Sequence, residues 1–132
     1  MATLAQAKTL GTSFGNAEEV VHTYYDFAVD AGAQGSLDIF TASGDVIVTH
    51  FHMEVETTCT GTGAVLTINT TDDLEKYCSA SQGAVANLVA GYNLIGPYQG
   101  VKLASGEKIY QTIATAALTA GKIHYVVKYL NA

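Results

Sequence analysis

The chain has 132 residues, enough for one domain that buries about two-thirds of its unfolded surface. Apolar residues make up 48% and charged residues 14%, which excludes disorder. The formal net charge is -6 and arginine is absent, which argues against nucleic acid and anionic membranes as partners. A weakly charged surface rich in Ala, Thr, Gly and Val is often covered by other subunits. No run is long and apolar enough to span a bilayer, and the N-terminus lacks a basic-then-apolar leader. Cys59 and Cys78 are too few for a disulfide framework and are expected to be free thiols in a reducing compartment.

Residues 1–19 read as an extended N-terminal arm, with Leu4, Leu10 and Phe14 as its apolar anchors. Residues 20–132 read as the folded domain. Glu19–Val29 is a first long strand, with Val21, Thr23, Tyr25, Phe27 and Val29 on one face. After a glycine-marked turn, Ser36–Ala42 is a second strand. Asp72 followed by Glu75 has capping-box spacing and predicts a short helical turn. The stretch 79–90 has Val85, Leu88 and Val89 at helical spacing, limited by Gly83 and Gly91. Tyr92–Leu103 carries Gly96, Pro97 and Gly100 and reads as a loop. Glu107–Leu118 and Lys122–Leu130 read as a terminal hairpin, with Ile109, Gln111, Ile113 and Thr115 on one face of the first strand and Ile123, Tyr125, Val127 and Tyr129 inward on the second. Six or more short strands at this spacing predict an all-β fold: a single antiparallel β-sandwich or jelly-roll-like domain.

The stretch from Gly44 to Thr70 organises the rest, read as two strands joined by a Thr- and Gly-rich turn. Ile47, Thr49, Phe51, Met53 and Val55 share an apolar face; Val46, Val48, His50, His52, Glu54 and Glu56 share the other. Gly44, His50-x-His52, Glu56 and Gly63 resemble the first motif of the cupins, which implies a divalent-metal enzyme using His50, His52 and Glu56. Imidazole and carboxylate do suit such a metal. Against this reading, the histidines lie opposite the apolar face, and no histidine follows Gly91 and Pro97 as a second motif requires. Other candidate sites are weaker. Cys59 and Cys78 joining the two histidines on zinc would lack tight Cys spacing. Gly11-Thr12-Ser13-Phe14-Gly15 has the pattern of a nucleophile elbow without the strand and helix it needs. Asp72, Asp73 and Glu75 lack an oxygen-rich calcium loop.

A second resemblance covers more of the chain. The segments Asp26–Phe40, Gly44–Val46, Thr57–Ile68 and Thr112–Leu130 resemble those of the decoration or cement proteins of tailed-bacteriophage capsids. That resemblance implies a virion structural protein with no catalytic residues and no cofactor. It implies a homotrimer on the outer capsid surface, assembled in the host cytoplasm, that binds the major capsid protein and stabilises contacts between neighbours. A tail or head–tail structural protein of the same sandwich class is the close alternative. The capsid and subunit contacts are expected from Leu4, Leu10 and Phe14 of the arm, which would gain affinity by adding a strand to a neighbour.

Overall fold

A computed structural model describes residues 18–96 and 100–131. The strands are β1 (Glu19–Asp26), β2 (Gly35–Thr41), β3 (Val46–Thr60), β4 (Val65–Thr70), β5 (Asp73–Cys78), β6 (Asn93–Gly96), β7 (Val101–Leu103), β8 (Lys108–Ala114) and β9 (Ala120–Asn131). They form two antiparallel sheets, the all-β sandwich that the strand spacing predicts. The first runs β1-β9-β3-β6, with β7 also on β3; the second runs β2-β8-β4-β5. Arm residues Leu4, Leu10 and Phe14, together with Ser13, Pro97 and Tyr98, lie outside the described residues.

Alternation builds the core. Phe51, Met53 and Val55 of β3, Ile123, Tyr125 and Val127 of β9, Leu66 and Ile68 of β4, and Ile109 and Ile113 of β8 all point between the sheets and are buried. Phe51 stacks on Tyr77 of β5, ring centroids 4.5 Å apart, and so ties the first sheet to the second. Gln111 also points inward. Its Oε1 accepts the Tyr125 hydroxyl at 2.6 Å, the bond that makes a buried amide tolerable. Burial drives the Tyr125 phenol well above its ordinary pKa.

The strand pairings differ from the sequence reading. Neither expected hairpin forms. β3 and β4 lie in opposite sheets, and so do β8 and β9. Each pair is an arch over the end of the sandwich, and the two arches stack: β3 pairs with β9 and β4 with β8. Thr119 N donates to the Thr60 carbonyl at 2.8 Å, and the two threonine hydroxyls meet at 2.6 Å. Gly61, at φ +140, permits the stacking, because a Cβ there would collide with the Ala117 carbonyl oxygen. Faces are read from alternation, but an arch and a hairpin have the same alternation, so the partner is not legible in it.

Three local expectations are also corrected. β1 ends at Asp26, not Val29, because the Asp26 side chain accepts from Ala28 N at 3.0 Å and starts a helical turn, α1 (Phe27–Asp30). Val29 is therefore exposed rather than on the core face. Asp72–Glu75 is not helical: Thr71 and Asp72 turn the chain into β5, and Asn69 Oδ1 accepts from Glu75 N at 2.7 Å. Residues 92–103 are not all loop, since β6 and β7 add to the edge of β3 through Phe51–Glu54 and Val46–Val48. The ambiguous stretch after β5 holds only a short 3-10 turn (Val85–Asn87), ahead of the fully buried Leu88.

Candidate functional site

β3 is bulged against β9, and the bulges decide what it displays. Val48 faces Tyr129 while His50 faces Lys128, so one extra residue, Thr49, is inserted. That insertion reverses the alternation. Val46 and Val48 are buried before it, and Phe51, Met53 and Val55 after it. The expectation that Val46 and Val48 share a face with the histidines is therefore wrong by one residue. His50, His52 and Glu54 point outward as expected. A second bulge leaves Glu56 as the extra residue between Val55, opposite Ile123, and Thr57, opposite Lys122.

β1 and β9 complete the outer face. Tyr24 lies opposite His124 and His22 opposite Val126 in one register; Glu54 lies opposite His124 and His52 opposite Val126 in the other. The chain has four histidines, and all four, His22, His50, His52 and His124, lie on this outward face. Tyr24 stacks on His124 at 4.4 Å and 6°, and the His22 ring lies edge to edge with it, centroids 5.1 Å apart and 17° from parallel. Nδ1 of His22 is 2.8 Å from Nε2 of His124. The other nitrogen of His124, Nδ1, faces Glu56 Oε2 at 3.9 Å. Lys122 lies 3.8 Å from Glu56 and 5.2 Å from the centre of the Tyr24 ring. His52 is held separately, its Nε2 2.6 Å from Asn93 Oδ1 on β6. Val20, Tyr24 and Ile95 are large apolar or aromatic groups exposed on the same face.

The cupin-like triad is not brought together. Among the described residues the ligating groups that converge are Glu54, Glu56 and His124, and neither His50 nor His52 is among them. The sequence reading missed His124 because it lies on β9, and His22 because it lies on β1. Their outward parity on each strand was legible, but the pairing that joins them was not.

The other candidate residues are placed away from chemistry. Cys59 on β3 and Cys78 on β5 of the second sheet are both buried in the core, away from the outward histidines. Burial pushes their thiols up to about 11 and about 12, far from the thiolate that a nucleophile or zinc ligand needs. Asp73 pairs with Lys76 at 3.5 Å, and Glu75 accepts from Ala80 N. A shallow cleft at the end of the sandwich is lined by Tyr25, Asp30, Gln34, Ser36 and Gln111. There the Tyr25 phenol donates to the Ala31 carbonyl and is pushed up to about 12 by burial, which removes it from acid–base work near neutrality.

No family model matches the chain, and no curated protein matches it. Solved structures do. A chain of the capsid asymmetric unit of cyanophage Pam1 superposes with TM-score 0.64 at 20% identity, over 92% of this chain and 90% of that one. A chain of the acidic stable capsid of Helicobacter pylori bacteriophage KHP30 superposes with TM-score 0.62 at 12% identity, over 88% and 89%. At these identities the likeness is one of fold. It runs through nearly the whole of both partners in each case, so those capsid chains are close to this chain in size.

Proposed function

We propose that this chain is a structural protein of a phage virion, a decoration or cement protein that binds the outer surface of the head and stabilises contacts between major capsid proteins. The observation that carries the reading is the end-to-end match to capsid chains of two phages. Each match takes in about nine-tenths of the neighbour's own length, so the likeness is to the whole of those capsid chains. The two thiols are buried and driven up, which removes them from nucleophilic work near neutrality.

In this reading the outer face of the first sheet is a contact surface. Tyr24, Val20 and Ile95 supply apolar and aromatic area, ringed by histidines and opposed charges, the composition that interfaces favour. The arm residues Leu4, Leu10 and Phe14 reach a neighbouring subunit, and the protein works as a homotrimer with many copies on one shell, where multivalency raises avidity. Co-sedimentation with heads that lack the protein tests the function. Saturable binding to the outer surface supports it, and a chain that stays in the supernatant at every concentration sinks it. Native mass spectrometry of the untagged protein tests the trimer.

A further inference from the structure

We propose that the outer face of the first sheet binds a divalent metal ion of the zinc class, with His124 Nδ1 and the carboxylates of Glu54 and Glu56 as ligands and His22 as a positioning residue. The three ligating atoms all lie within 4.8 Å of one another. Zinc bonds of roughly 2.0–2.2 Å place tetrahedral ligand atoms roughly 3.4 Å apart, so the groups converge by small side-chain rotations. The backbone sets the convergence. Glu54 is directly opposite His124 across the β3–β9 ladder, and Glu56 is the extra residue of the adjoining bulge.

The electrostatics call for a cation. Two carboxylates and an imidazole edge meet at one place. Glu54 is half-buried and its carboxylate, among the described residues, makes no hydrogen bond or ion pair. Lys122 answers only Glu56, at 3.8 Å, and also leans over Tyr24. One nitrogen and two carboxylates suit zinc or manganese; calcium takes six to eight oxygens. Water completes the coordination on the open side.

His22 supplies the orientation. A metal on Nδ1 of His124 requires Nε2 to carry the proton, and Nε2 lies 2.8 Å from Nδ1 of His22, which accepts it. Tyr24 stacks on one face of the ring and the His22 hydrogen bond holds its edge, and together they fix the plane that aims Nδ1 at the carboxylates. The site differs from the His50, His52 and Glu56 triad of the sequence motif, because His52 is engaged by Asn93.

The test is calorimetric titration of the untagged full chain with zinc chloride, and it is independent of the virion reading because it uses the free protein. The expected result is one zinc per chain. E54Q, which keeps the shape of the side chain, and H124A each weaken binding at least about 100-fold; H22A weakens it about 10–100-fold, the range for a residue behind a ligand. The double variant H50A/H52A binds as the wild type does. Absence of zinc uptake by the wild type overturns the proposal. So does undiminished binding by E54Q, or loss of binding in H50A/H52A. Circular dichroism melts of each variant separate lost binding from lost fold.

Discussion

The two sheets share one core and turn unlike faces outward. On the second sheet the outward polar groups answer one another. The Ser36 and Thr112 hydroxyls meet at 3.1 Å, and Asn69 Nδ2 donates to Thr112 and Thr67. Asn69 Oδ1 takes Glu75 N, and Lys108 pairs with Asp38 at 2.9 Å. On the first sheet the groups are larger, aromatic or titratable, and several are left over: His50 and Glu54 have no hydrogen-bond partner among the described residues, and Tyr24 and Ile95 are exposed. A face whose polar groups are mutually satisfied offers little to a partner, while one with spare donors, acceptors and apolar area offers more. That difference is why the contact and the metal are both placed on the first sheet.

The contrast presumes a single core beneath both faces, and the largest effect tests this. Phe51→Ala removes the ring that stacks on Tyr77 across the sheets and should cost about 3–5 kcal/mol in urea unfolding. A loss under 1 kcal/mol would mean that the sheets are not held together there. Tyr125→Phe leaves the buried Gln111 carbonyl without its donor, and about 1–3 kcal/mol should be lost. The buried thiols give the core an alkaline limit. Cys59 titrates near 11 in the fold against 9.0 ordinarily, and Cys78 near 12, so the unfolded chain loses these protons first. Their contribution is complete below about pH 8.5 and is lost as pH rises toward 11 and 12. The unfolding midpoint should fall over that window, and less steeply in a Cys59→Ala/Cys78→Ala variant measured against its own neutral value.

Smaller effects separate the faces themselves. Thr112→Val removes a hydroxyl shared by Ser36 and Asn69; it should cost about 1 kcal/mol and leave capsid co-sedimentation unchanged. Tyr24→Ser on the first face loses the stack on His124 and should cost about 0.5–1.5 kcal/mol, yet weaken co-sedimentation several-fold. If Thr112→Val weakened capsid binding and Tyr24→Ser did not, the assignment of the two faces would be reversed.

Shared faces on β8 and β9 were readable directly: Ile109, Gln111 and Ile113, then Ile123, Tyr125 and Val127, are buried, and the pattern stops only at Thr115, which lies past the end of β8 and is exposed. Alternation encodes a face because it reflects local geometry. It fails at Thr49, where one inserted residue swaps the faces of Val46 and Val48, and nothing in the residue types announces a bulge. Pairing is a long-range property, so the arches were read as hairpins, and the joining of His22 and His124 to Glu54 and Glu56 was hidden with them. Asp26 was a local signal that could have been used: an aspartate before Phe27–Asp30 is a good helix N-cap, but the β-branched and aromatic run around it reads as strand.

The stacking of the two arches also governs how the chain reaches its native state. Among the described residues β1 pairs only with β9, and β3 pairs along its length with β9, so the first sheet closes only when segments some 60 to 110 residues apart have met. The second sheet is under the same constraint, because β2 and β4 both wait for β8. No stretch of neighbouring strands makes a stable half. Loop-closure entropy must be overcome before these pairings return any energy, which places folding on the slow side, in the millisecond-to-second range typical of sandwiches. Until β9 docks between β1 and β3, one long edge of β3 stays open, while its other edge takes β6 and β7. In that interval a second copy could supply the missing strand, so dilute conditions should favour monomeric refolding and crowded ones exchange of β9 between chains.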